Sequence, residues 1–179
     1  MDKLISIAPP PAKPIGAGTP DSWSVVCSTY GMQFPEDYRL LIDRYGGGRF
    51  AEFVGIKSPF GQRQGDLSFD EFVQLRLGGL RNMQRDAPKY AMPFPVYPAP
   101  TGVFPFGYTD NGGTLFWLRI GSSNKWPIII ARDSGYANDC ERYDCFLPDL
   151  IEGWLSRRLK IRSLSPPDLF PIPKPFFRQ

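Results

Sequence analysis

Apolar positions along this chain follow a helical spacing towards both ends and a strand spacing in the middle. The densest stretch, residues 103–118, holds two short aromatic-rich segments separated by Thr109-Asp110-Asn111-Gly112-Gly113. β-Branched and aromatic residues suit a pleated, half-buried surface, and Asn-Gly or Gly-Gly readily adopts the positive φ of a primed turn. The pattern predicts a β-hairpin with Trp117 in the core. A third strand at residues 126–131 follows a turn at Gly121-Ser122-Ser123-Asn124, giving an antiparallel meander. Further strands are predicted at residues 50–56 and 143–146.

Four helices frame these strands. Thr19, Pro20 and Asp21 supply a cap, a proline for the first helical position and an acid for the positive dipole end; Trp23, Val26, Cys27 and Tyr30 then share a face before Gly31. Pro35 opens a second helix, in which Tyr38, Leu41, Ile42 and Tyr45 form a stripe. Gly46-Gly47-Gly48 ends it, with a left-handed C-cap expected. Ser68 with Glu71 makes a capping box for a third helix carrying Phe69, Phe72, Val73, Leu77, Leu80 and Met83, weakened internally by Gly78-Gly79. A fourth starts at Pro148-Asp149 and presents Leu150, Ile151, Trp154, Leu155 and Leu159 inward. These stripes are read as core.

Without regular βα alternation a doubly wound sheet is disfavoured. The order predicts an α+β fold: a single twisted, mainly antiparallel sheet with flanking helices packed on one face. Prolines 9, 10, 11 and 14 mark residues 1–18 as an extended arm, dispensable for folding. Residues 19–164 form the domain. Residues 165–179, where prolines interleave with Leu169, Phe170, Ile172, Phe176 and Phe177, form a strap over an apolar surface of this domain or of another chain.

Composition narrows the chemistry. The chain has 179 residues, enough for one domain, and no histidine. That removes Ser-His-Asp and Cys-His nucleophilic sites, His-liganded zinc and imidazole acid–base catalysis. Cys27, Cys140 and Cys145 cannot assemble a four-cysteine zinc site, and read as reduced thiols. No metal or other cofactor is expected. Gly46-Gly47-Gly48 follows a helix and lacks the Gly-Lys-Ser/Thr of a phosphate loop. A net charge of +3 is too small to mark a nucleic-acid binder. No apolar run approaches the roughly 20 residues that cross a membrane, so a cytoplasmic location is expected.

Charge is segregated, however. Residues 133–152 carry Asp133, Asp139, Glu141, Asp144, Asp149 and Glu152 against Arg142, whereas the basic residues 157, 158, 160, 162, 174 and 178 follow. The acidic run, with turn formers Gly135 and Asn138, reads as a solvated loop or, in the alternative, as a projecting patch that steers a protein partner. Charge reversal at Asp139 and Glu141 is then expected to leave stability unchanged.

Three motifs occur in an order that resembles a known family. Phe34-Pro35-Glu36-Asp37-Tyr38-Arg39-Leu40-Leu41 leads to Tyr45-Gly46-Gly47-Gly48-Arg49-Phe50. Phe104-Pro105-Phe106-Gly107-Tyr108 precedes Asp110-Asn111-Gly112-Gly113 and Leu115-Phe116-Trp117, and Phe146-Leu147-Pro148 opens the last helix. Over roughly residues 20–160 the chain resembles the SUKH superfamily of Smi/Knr-type domains. The resemblance implies an α+β domain that works by binding protein and not by catalysis. In bacteria many such domains are immunity proteins that block a cognate toxin; in fungi, related ones regulate cell-wall synthesis. A toxin partner is therefore expected, and an intracellular scaffold or regulator is the alternative. The residues expected to contact the partner are Asp133, Asp139, Glu141, Asp144, Tyr108 and Asp110.

Overall fold

The computed structural model describes residues 1–61, 65–132 and 139–164, and the backbone of 176–178. Its helices are α1 (Asp2–Ile7), α2 (Pro20–Tyr30), α3 (Glu36–Tyr45), α4 (Phe69–Asp86) and α5 (Leu147–Leu155). Its strands are β1 (Gly48–Phe50), β2 (Val54–Ile56), β3 (Val103–Thr109), β4 (Thr114–Leu118), β5 (Ile128–Ala131), β6 (Cys140–Tyr143) and β7 (Phe176–Arg178). They form one sheet in the order β6-β5-β4-β3-β2-β1-β7, with every adjacent pair antiparallel. The fold is α+β, as the element order predicts.

Local chemistry sets several helix ends where the sequence places them. Thr19 Oγ1 accepts from Ser22 N at 3.2 Å, and Gly31 closes α2 at φ 59°, ψ 31°. Ser68 and Glu71 form their reciprocal box, with Ser68 N donating to Glu71 Oε2 at 2.8 Å. Gly46 differs from expectation: φ 71°, ψ −162° is not a left-handed cap. A Cβ at Gly46 would lie 2.0 Å from the Ile15 carbonyl oxygen, so the glycine is needed for a close approach. Gly47 N donates to that same oxygen at 3.0 Å.

That contact belongs to the largest departure from the sequence reading. Residues 1–18 do not extend into solvent. The short α1 buries Leu4, Ala8 accepts a hydrogen bond from Tyr45 Oη at 2.7 Å, and Ser58 Oγ donates to the Gly16 carbonyl. Met1, Leu4, Ile5 and Ala8 recur at the i, i+3, i+4, i+7 spacing of one helical face, and all four lie in or against the core.

The strand expected at residues 50–56 is a hairpin of β1 and β2. Ala51 and Glu52 turn at φ 49° and 55° without a glycine, asparagine or aspartate to signal it. In the β3–β4 hairpin the loop is longer than a two-residue primed turn, and Gly112 alone between Asp110 and Gly113 has positive φ. The strand expected at 143–146 lies at Cys140–Tyr143, paired with β5. Helix α5 stops at Leu155, and Leu159 N folds back to the Gly153 carbonyl at 2.7 Å. At the other edge the backbone of β7 pairs with β1, so this part of the C-terminal segment adds a strand to its own domain.

Trp117 anchors the core, 1% exposed. Its ring lies 4.1 Å from that of Phe106, 4.8 Å from Tyr38 and 5.8 Å from Phe34. In β4, alternation puts Thr114, the neighbour of Tyr108, on the face opposite Trp117. Phe72 of α4 reaches that second face, 6.1 Å from the Tyr108 ring. Helices thus touch both faces of the sheet and not one, and every residue of β4 and β5 is buried.

Candidate protein-binding surfaces

Arg49, Gly55 and Tyr108 stand side by side on β1, β2 and β3. Gly55 is the reason they interact: a Cβ there would lie 2.3 Å from Tyr108 Cζ. The missing side chain lets the tyrosine ring lie across the central strand. Arg49 Nε then donates to Tyr108 Oη at 3.3 Å, and Arg49 Nη1 to Asp110 Oδ1 at 3.2 Å. On the same ring sits Lys57, its Nζ 5.7 Å from the centroid. Burial lowers the Lys57 pKa, and the Arg49 charge lowers it further, against the opposing pull of Asp66 and Glu71. Two sequence candidates, Tyr108 and Asp110, thus come together among cations.

Asp144 belongs to a different surface. A cleft of about 250 Å³ is lined by Pro35 and Asp37 at the start of α3, Trp126 before β5, and Asp144, Cys145 and Phe146 between β6 and α5. Asp37 ties two of these elements together, accepting from Leu147 N at 2.6 Å and from Tyr38 N at 2.8 Å. Burial raises the Asp37 pKa in spite of those bonds. Phe146 is 56% exposed beside the cleft, the geometry of an aromatic anchor. Asp144 is held by Arg142, with Nη2 donating to Oδ1 at 2.7 Å.

Glu141 is occupied within the chain. Its carboxylate accepts from Ser163 N at 2.6 Å, Arg162 N at 3.1 Å, Tyr143 Oη at 2.8 Å and the Ser163 hydroxyl. Burial pushes its pKa up, but the bonds from Ser163, Tyr143 and Arg162 outweigh that and hold it below the usual carboxylate range. Glu141 lies in β6 at a sheet position and not in a projecting loop, so reversing its charge breaks a structural clasp. Asp139 precedes that strand, half-buried, and Asp133 lies outside the described residues.

Comparison with family models matches residues 21–144 to the SUKH_6 family, described as SMI1-KNR4 cell-wall. That is more than half of the chain. The chain belongs to the SUKH superfamily. No curated protein matches it, and no solved structure matches it. The matched span contains α2, α3, α4 and the sheet from β1 to β6, so this SUKH domain carries both surfaces almost entirely within the family core.

The surroundings of Cys140 and Cys145 disfavour the thiolate. Burial, with Asp139 nearby, pushes Cys140 up to about 11, and burial with neighbouring acids raises Cys145. No helix among the described residues is long and apolar enough to cross a membrane. Sequence reasoning missed Arg49, Lys57, Phe72 and Arg76 on one surface, and Asp37, Trp126 and Phe146 on the other. Gly55 inside a strand pattern was the legible signal for the first, since an isolated strand glycine marks a close approach. The second joins three separate segments and has no local signature.

Proposed function

We propose that this SUKH domain is a non-enzymatic immunity protein that acts in the bacterial cytoplasm, binding a cognate toxin and covering its active site. Family membership over residues 21–144 carries this reading. The cleft beside Phe146 supports it, because a half-exposed aromatic next to a partly polar hollow is suited to anchoring a protein partner. In this proposal residues 19–164 are the covering body, and residues 1–18 and 165–179 are additions to it. Asp144, Tyr108 and Asp110 are contact residues, joined by Asp139 and Asp133, while Glu141 holds the edge strand that presents Asp139 and Asp144. The family description as a cell-wall domain favours a second reading, a scaffold or regulator that holds a housekeeping partner.

Capture with the full chain as bait in its native cell, followed by assay of the captured protein, separates the two. A captured toxin whose activity the chain blocks in stoichiometric mixture is the expected result. A captured partner without toxic activity overturns the immunity reading in favour of the scaffold. Phe146→Ala, folded by its melting curve, is expected to weaken capture at least tenfold.

A further inference from the structure

Several acids of this domain are bonded or ion-paired within the domain itself. Glu141 is taken by Ser163 and Arg162, Asp144 by Arg142, Asp110 by Arg49 and Glu152 by Arg158. Two cations that share the Phe72 ring are not ion-paired in this way. Among the described residues Lys57 and Arg76 form no ion pair: Lys57 Nζ donates to the Leu67 carbonyl at 2.9 Å, and Arg76 Nε is buried with no acceptor.

These groups form a continuous series of alternating charge and ring. Arg49 Cζ lies 5.6 Å from the Tyr108 centroid, and Lys57 Nζ lies 5.7 Å from Tyr108 and 5.9 Å from Phe72. Arg76 Cζ lies 5.6 Å from Phe72. Each ring attracts its cations, but like charges gathered on two rings also repel one another. Burial further disfavours the charge on Arg76. Glu71 offers limited relief, because its carboxylate is turned to the Ser68 N–H. An anion laid against Lys57 and Arg76 meets groups already partly stripped of water, where attraction is stronger than on an open surface.

We propose that the Arg49–Tyr108–Lys57–Phe72–Arg76 series is a docking surface for an acidic segment of a partner polypeptide. Lys57 and Arg76 receive its carboxylates, and the half-buried Tyr108 ring packs against an aliphatic stem of the same segment. A polypeptide fits better than a nucleic acid because the positive strip is short and rimmed by Asp66, Glu71 and Asp110. A phosphate backbone needs a cationic track along its length. This inference rests on the reading that the domain works by binding protein. It gives the partner acidic residues at this surface, whereas a partner steered by the 133–152 run would present basic ones.

Titration of the full chain with hexaglutamate at low ionic strength tests the surface, with hexalysine and a single-stranded oligothymidylate of equal charge as comparisons. Hexaglutamate is expected to bind with an affinity that falls as salt is added. Lys57→Gln and Arg76→Gln are each expected to weaken it about threefold to tenfold. Arg76→Lys keeps the charge and most of the stem on Phe72, so it is expected to bind nearly as wild type; together with Lys57→Gln it carries the test should Arg76→Gln fail to fold. Absence of hexaglutamate binding, equal binding by wild type and Lys57→Gln, or tighter binding of the oligothymidylate each overturns the proposal. Neutralisation of a captured toxin equally by wild type and Lys57→Gln would remove this surface while leaving the immunity function standing. Hexaglutamate binding that depends on Lys57, in a chain that neutralises no toxin, would keep the surface and remove the immunity function.

Discussion

Glu141→Ala should destabilise the domain strongly, although its neighbours in sequence suggest an exposed and tolerant site. The substitution removes the acceptor for four donors: Ser163 N, the Ser163 hydroxyl, Arg162 N and Tyr143 Oη. Ser163 is 4% exposed, so water cannot freely replace its partner. A stranded buried N–H costs about 1–3 kcal/mol, and a lost hydroxyl bond about 1 kcal/mol; Arg162 is exposed and recovers water at little cost. The expected loss is about 2–4 kcal/mol, or roughly 5–15 °C in melting temperature at this chain length. Scanning calorimetry and urea unfolding read it directly. Asp144→Ala, three residues on and solvent-exposed, should leave melting nearly unchanged. A Glu141→Ala loss below about 1 kcal/mol, or one equal to that of Asp144→Ala, would refute the clasp.

The same carboxylate gives a pH signature whose sign is fixed by the bonds it accepts. Its folded pKa lies below the ordinary value, so the folded state favours the ionised form. The stability this contributes is complete above the unfolded carboxyl pKa of about 4.3, and it is lost as pH falls through the lower folded value. Glu141→Gln should flatten the acid limb of the stability curve relative to wild type. A double-mutant cycle with Ser163→Ala should show a coupling of about 1 kcal/mol or more.

Four further outcomes follow from particular contacts. Trp117→Ala should cost about 3–5 kcal/mol in urea unfolding, since the ring is enclosed by Phe106, Tyr38 and Phe34; a mild effect would show that these rings collapse into the space. Leu4→Ala should cost about 2–5 kcal/mol, and deletion of residues 1–16 more, because Leu4 is 1% exposed in the core; a truncated chain melting within a few degrees of wild type would contradict the docking of α1. Gly79→Ala should raise stability by about 0.5–1 kcal/mol, because a Cβ there meets nothing within 4 Å and the helix gains propensity; a destabilised variant would show that α4 is not continuous at this point. Glu52→Gly should also stabilise, by about 1 kcal/mol, since φ 55° is unfavourable for a side-chain-bearing residue; an unchanged or lower urea midpoint would count against strain in this turn.

Short-range physics accounts for the elements that were legible in one dimension. Caps at Thr19 and Ser68, the stop at Gly31, the apolar stripes of α2 to α4 and the β3–β4–β5 meander all rest on residues within a few positions of one another. Their chemistry therefore shows in one dimension. The ordered motifs around Pro35, Phe104 and Phe146 likewise pointed to the SUKH family. Features that depend on groups far apart in the chain were decided by the tertiary structure. Leu4 lies in a short apolar stripe ahead of the prolines, and its cover comes from the packing of α1 against α5. Ala51 and Glu52 show no turn chemistry, yet the pairing of β1 with β2 forces their positive φ. Glu141 reads as one acid in an acidic run, but β6 places it against Ser163, 22 positions away, where it becomes a clasp. Lys57 and Arg76 likewise became parts of one surface only when α4 brought Phe72 beside the end of β2. A hydrogen bond or a ring contact requires proximity in space, and pairing across long loops supplies a proximity that local sequence does not encode.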